Sequence, residues 1–423
     1  MNSRVQELIN FTKTKFGLAS YYLARHHFHR NVNILNETIY TLCMEWFPNH
    51  VIEKVDNDSN PDGAAFIEIN VNSGRFERAI FVMGKTYAVD GVSFPELDLT
   101  EITKWIEQET GLTYGKQFQI DKREEGEILF KAYIDGIAVS PSSSIEVKFD
   151  QNGNLTFFTV HGQFPTKEMV KEENYTLSLD RLGHLTKEQL KLIEFPSFEQ
   201  ERLFPIYAIE EIYVTNDGTW TIPFDIFGDG RSYEQINEPI YWDEPLDNRF
   251  ERKEIRLLEN ITEEQAFSCE PSPEVFPITK QEQDKCERAV TDFLRQEYPT
   301  DSGNWRLKTF HREKGFIHAV LRTDQQDNRV FQRKLLIIIE AASLQVINYM
   351  DNKQMLETFD KFQALEEVAV IKEEAYEKLK DLFELKPYYV YDFKQSQYVL
   401  CGKLDCDYGV YKGNGKVMAL NDL

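Results

Sequence analysis

Residue types able to ligate a metal gather at two places near the start of the chain. Arg25-His26-His27-Phe28-His29-Arg30 is the densest histidine cluster. On a β-strand, side chains two apart share a face, so His27 and His29 could hold one divalent ion between their imidazoles. The flanking arginines oppose a cation, and no cysteine or carboxylate nearby in sequence completes the set, so a solvated strand face is the simpler reading. Asp58-x-Asn60-x-Asp62-Gly63 repeats the opening of a calcium loop, where side-chain oxygens wrap a hard cation and glycine permits the sharp turn. The twelfth position should be a bidentate glutamate, but it is Ile69, with Glu68 one residue early, and a strand pattern follows in place of a helix. Asp, Asn, Ser, Pro and Gly are also what an ordinary loop needs. No metal and no cofactor is therefore assigned; His27, His29, Asp58, Asn60 and Asp62 are the positions to inspect.

Nucleophilic chemistry fares no better. Cys401 and Cys406 have four residues between them and fall on opposite faces of one strand unless Gly402 bends it. Asp405 and Asp407 beside Cys406 should raise its thiol pKa, which works against a reactive thiolate. Gly413-Asn414-Gly415-Lys416 lacks the spacing and the following helix of a phosphate loop, so it reads as a hairpin turn. No G-x-S-x-G, H-E-x-x-H or G-x-G-x-x-G frame is present. No catalytic residue is nominated.

The elements that would position such residues are mostly hairpins. Ser144 to His161 alternates Ile145, Val147 and Phe149, turns at Asn152-Gly153, and resumes with Leu155, Phe157 and Thr159. Period-two alternation around Asn-Gly is a strong short-range hairpin signal. Four more stretches repeat the design: Ala65 to Ile80, Glu211 to Ile222, Leu335 to Ile347, and Asp407 to Met418. Helices are expected over Val5 to Phe16, closed by Gly17; from Asp98 to Gly111; from Thr279 to before Pro299; and from about Ile371 to Leu382. A short helix is expected over Thr186 to Ile193. The prolines at 239, 245, 271, 273 and 277 suit a connector lying over domain surfaces.

Helix, meander, hairpin thus occurs twice before the middle of the chain and twice after it. The expected fold is α+β, with tandem small domains of one helix packed on an antiparallel meander sheet. The division is 1–92 and 93–165 as the first two repeats, 166–277 as an irregular middle segment, and 278–358 and 359–423 as the last two. A chain of 423 residues is too long for one core. Its 41% hydrophobic and 13% aromatic content is enough to build several. Most of the 30 Phe, 20 Tyr and 5 Trp are expected inside them.

A net charge of −23 disfavours nucleic acid and anionic lipid surfaces. No apolar run approaches the ~18 residues of a membrane span, and the N-terminal residues lack a secretory core segment. Five scattered cysteines are not a disulfide framework, so a reducing, cytoplasmic compartment is the expectation.

Asp135-Gly136-Ile137-Ala138-Val139 with Ile145 to Leu155 (I-x-V-x-x-D-x-x-G-x-L), Leu203 to Ala208, and Ile371-Lys372-Glu373-Glu374-Ala375 carry a family likeness. In these residues the chain resembles PepSY-like domains and, more closely, the YcdB/YcdC-type repeat proteins of Gram-positive bacteria. The resemblance implies cystatin-like α+β repeats and a peptide-binding or protease-regulating role, and it transfers no catalytic residue. It also implies relatives that are commonly exported, against the cytoplasmic expectation. The functional expectation is a non-enzymatic binding or regulatory protein presenting antiparallel sheets to a protein or peptide. The alternative is a hydrolase whose carboxylate site is assembled from distant residues.

Overall fold

A computed structural model describes residues 2–50, 60–171, 173–223, 233–255, 260–323, 328–362, 370–393 and 395–422. The chain is α+β and divides into two units. One comprises Met1–Glu173, Leu258–Val275 and Tyr388–Leu400; the other comprises Asn174–Leu257, Phe276–Pro387 and Cys401–Leu423. Among the described residues no helix is long and apolar enough to cross a membrane.

The first unit opens with helix α1 (Ser3–Lys15), whose first turn is capped when the Asn2 side chain accepts from Arg4 N–H. Gly17 ends it in the left-handed region (φ 63°), where a Cβ would lie 2.3 Å from the Val89 carbonyl oxygen. The strands β1 (Tyr21–Val32), β2 (Thr38–Pro48), β3 (Ala65–Asn70) and β4 (Phe76–Phe81) follow. Helix α2 (Leu99–Thr110) starts at the Asp98 cap and stops at left-handed Gly111. Next come β5 (Phe118–Glu124), β6 (Glu127–Ile134), β7 (Ile137–Ser140), β8 (Ser144–Phe149) and β9 (Leu155–His161). The strand order is β1-β2-β3-β4-β9-β8-β6, with β5 and β7 also paired to β6. Because β4 pairs with β9 (Arg78 opposite Thr159), segments 1–92 and 93–165 contribute to one continuous sheet. These neighbours are antiparallel; β7 also takes Tyr388 to Val390 as a parallel partner. The helices lie on one face of this sheet: Phe16 meets Phe76 edge-on at 4.8 Å, and Trp105 meets Phe158 at 5.0 Å.

The 144–161 hairpin forms, but its second strand does not alternate as Leu155, Phe157, Thr159. A bulge at Lys148/Phe149 shifts the pairing, so Phe158 is buried and Phe157 is half-buried. One extra residue on one strand reverses the facing of every residue beyond it.

The second unit holds two cores. In one, β10 (Leu190–Ser197) and β11 (Arg202–Ile209) form a hairpin, and β12 (Ile212–Thr215) and β13 (Thr221–Pro223) form another. Leu190, Ile212 and Leu404 pack there with Ala375 and Leu379 of the helix Lys372–Leu379. The sequence expectation of a helix through Ile193 is corrected: the helix is Gly183–Gln189, and Leu190–Ile193 is strand, held by pairing with Ile206–Ile209. Long-range pairing overrides a short helical pattern.

The other core has β14 (Glu234–Ile240), helix α3 (Lys280–Glu297), β15 (Trp305–Glu313), β16 (Phe316–Thr323), β17 (Lys334–Glu340) and β18 (Gln345–Asp351). The strand order is β14 to β18 in sequence. Val290, Phe293 and Leu294 of α3 bury against Leu307, Phe310, Ile317, Ala319 and Ile337. Burying each such Val, Leu, Ile or Phe side chain contributes about 1.5–3 kcal/mol relative to exposure. The proline-bearing connector is corrected in part, since Pro239 lies in β14, a terminal strand of the sheet. Edge strands tolerate a residue without an N–H.

Candidate functional site

Strand β1 turns Phe28 inward, where its ring meets Phe267 at 5.8 Å, and leaves His27 and His29 exposed. In register they face Cys43 and Thr41 of β2. They are not part of a close group of three metal-ligating side chains among the described residues. Asp58 lies outside the described residues. Asn60 Oδ1 accepts from Arg25 Nη2 at 3.1 Å, and the Asp62 carboxylate pairs with Lys85 Nζ at 2.6 Å. Both loop oxygens therefore already serve cations of the chain itself.

A polar row crosses β2, β3 and β4 on the face that carries His27. Cys43 Sγ donates to Glu68 Oε1 at 3.4 Å, and Arg78 Nη1 pairs with Glu68 Oε2 at 3.3 Å. Burial, together with the Glu68 charge, pushes the Cys43 thiol up to about 12, so it stays protonated at neutral pH and is no nucleophile. Burial likewise pushes Cys286 up to about 11. Cys406 is also raised, by burial first and then by Asp405 and Asp407, the cause expected from sequence. Glu77 sits at a bulge between β3 and β4, and its Oε1 accepts from Asn70 Nδ2 at 3.0 Å. Burial raises its pKa, with a smaller push from Glu68.

The one close set of ligand atoms among the described residues is His311, Glu313 and His318, which mutually approach within 4.8 Å. Strands β15 and β16 are joined by Lys314-Gly315, both at positive φ (47° and 81°), a two-residue hairpin turn. His311 and Glu313 are two apart on β15 and share a face; His318 stands directly opposite His311. His318 Nδ1 lies 3.3 Å and His311 Nε2 3.9 Å from Glu313 Oε2. The side chains keep only 12%, 13% and 24% of their exposure for His318, His311 and Glu313. The opposite face anchors the hairpin through buried Phe310 and Ile317. Between the two ligands of β15, Arg312 Nη2 donates to Glu282 Oε1 at 2.7 Å, while Glu282 Oε2 accepts from Thr279 N–H at the start of α3. The hairpin is thereby tied to the helix N-terminus. Sequence reading nominated none of these three residues, which come together only through pairing across the turn. The Lys-Gly pair between two alternating runs is the signal that could have found it.

A second feature is apolar. At one end of β1–β4, Tyr22, Met83, Tyr87 and Val89 are exposed, Met83 at 73% and Val89 at 55%. Tyr21 Oη donates to Gly63 O and accepts from Tyr87 N–H, Ser20 Oγ donates to Tyr87 O, and Val89 N–H donates to Gly17 O. These bonds hold the 85–89 segment against the strand ends. Met83 itself adopts φ 59°, an uncommon conformation for a residue with a side chain.

No protein-family model matches the chain. No curated protein matches it. Among solved structures it is similar to the Bacillus megaterium YpeB C-terminal domain, at 9% sequence identity and a TM-score of 0.24, over 82% of this chain and 96% of that chain.

Proposed function

We propose that the protein is a non-enzymatic binding or regulatory protein that presents its antiparallel sheets to a polypeptide partner. The observation that carries this reading is the exposed group Tyr22, Met83, Tyr87 and Val89 at one end of the N-terminal sheet. Large apolar side chains held in water by a hydrogen-bonded frame are costly to leave uncovered and are typical of recognition surfaces. The partner is a peptide segment with apolar anchors, and the net charge of −23 favours basic flanks on it. Selection from a displayed random-peptide library on the immobilised full chain tests the proposal. Enriched peptides should be lost with the Tyr22→Ser, Met83→Ser double variant, whose circular dichroism stays native. Equal recovery by wild type and variant, or no enrichment, overturns it.

A hydrolase reading keeps one observation in its favour. Glu77, with its raised pKa, lies beside Glu68, which is paired with Arg78. Two carboxylates in differing environments suit acid–base hydrolysis. Turnover of an ester or glycoside substrate that Glu77→Gln abolishes would establish it; absence of turnover across such substrates removes it.

A further inference from the structure

We propose that His311, Glu313 and His318 bind one divalent transition-metal ion of the zinc class, a property separate from polypeptide binding. Two imidazole nitrogens and one carboxylate oxygen form a mixed nitrogen–oxygen donor set. Such a set suits zinc, iron, nickel or copper; calcium and magnesium call for oxygen ligands throughout. Zinc binds these donors at about 2.0–2.2 Å, which places donor atoms of a tetrahedral site roughly 3.3 Å apart. The observed separations run from 3.3 Å to at most 4.8 Å, a difference that ordinary side-chain torsion closes.

The placement also matches what a metal site needs. His311 and His318 are fixed by strand register, not by a loop, and their rings meet at 5.0 Å and 71° to each other, so they do not stack face to face. Glu313 approaches both and supplies a negative charge that offsets the cation. Partial shelter weakens competition from water, and buried Phe310 and Ile317 behind the hairpin limit its movement. Three protein ligands leave a fourth tetrahedral position for water or an external ligand.

The alternative is a carboxylate that bridges two imidazoles and binds nothing. Full-length chain, stripped with a chelator and dialysed, is titrated calorimetrically with Zn²⁺, and its Co²⁺ form is examined by visible absorption. One equivalent per chain and a four-coordinate cobalt spectrum are expected. His318→Ala should weaken zinc binding by more than the roughly 10–100-fold that loss of a supporting outer-shell partner costs. The His27→Ala, His29→Ala double variant should bind as wild type does. No stoichiometric uptake by wild type, uptake that survives His318→Ala, or uptake lost in the His27/His29 variant overturns the proposal. Should His318→Ala fail to fold, Glu313→Gln and the wild-type cobalt spectrum decide it by the same outcomes.

Discussion

Two strands of this protein carry histidines two residues from another potential ligand, and the two cases end differently. On β1, His27 and His29 are adjacent in the pattern, exposed, and flanked by Arg25 and Arg30. On β15 and β16, His311, Glu313 and His318 are interrupted by a turn, yet register brings their ligand atoms together under partial cover. Density of histidines along the sequence made the first look like a site. Pairing across a hairpin produces the second, because cross-strand neighbours are as close as any pair within a strand. The general lesson concerns anchoring: β15 has fully buried Phe310 beside His311 and, between its two ligands, Arg312 paired to Glu282 at a helix start, whereas the residue between His27 and His29 on β1 is Phe28, packed on the Phe267 ring.

That contrast is tested most severely by removing the anchors. Phe310→Ala should destabilise the second unit by about 3–5 kcal/mol, the cost of deleting a fully buried aromatic. Phe28→Ala on β1 should cost less, since Phe28 retains some exposure and meets the single Phe267 ring. Urea unfolding of both variants measures the difference, and equal costs would break the comparison. Arg312→Ala comes next, at about 1.5–3 kcal/mol for a charge-assisted bond with both partners mostly covered. For Glu282, burial pulls its pKa up, but Arg312 and the Thr279 N–H and hydroxyl outweigh it and hold the carboxyl below its ordinary value. A depressed folded-state pKa gives stability that is present above the ordinary carboxylate value of about 4.3 and lost as pH falls through the folded one. Wild type should therefore lose stability on acidification below about pH 4.3 more steeply than Arg312→Ala does.

How much of this was legible depends on the same division between local and long-range signals. Turn-linked pairs were readable because Gly153, Gly218 and Gly415 adopt positive φ where Asn-Gly or Asp-Gly predicts it. Helix starts were readable because Asp98 and Thr279 cap them through their own side chains. Pairing of β4 with β9, and of Tyr388–Val390 with Ala138–Ser140, has no local signature, so the joining of segments into shared sheets was not. The bulge that turns Phe158 inward leaves no mark in composition either. Lys314 at positive φ hid the 311–318 hairpin, since lysine seldom announces that conformation. The cluster of exposed apolar side chains around Met83 required knowing which segment lies against the strand ends.

A smaller effect sharpens the contrast from the side of the N-terminal sheet. Glu77 has a raised pKa, so its charged form is disfavoured in the folded state. Its contribution is therefore least favourable once pH has risen through the folded-state value. Glu77→Gln keeps an oxygen for Asn70 Nδ2 and removes the charge. A gain in stability at pH 7 is expected, shrinking as pH falls through the folded-state value and gone below the ordinary carboxylate value. A loss of stability at pH 7 would mean that the charged carboxylate is held by favourable contacts, against the direction of its pKa.

The smallest effect is expected at His27, and it discriminates well because it is small. An exposed side chain on a strand face, opposite a thiol that already donates to Glu68, has little to lose on truncation. His27→Ala should change unfolding free energy by no more than about 0.5 kcal/mol, as is usual for surface positions away from caps, cores and networks. The same urea measurement repeated with added Zn²⁺ then separates the two histidine strands. A ligand that binds only the folded state raises stability by mass action. Zinc should stabilise wild type and His27→Ala alike and leave His318→Ala unmoved. Stabilisation that disappears in His27→Ala would place the metal on β1 and reverse the comparison drawn between the two strands.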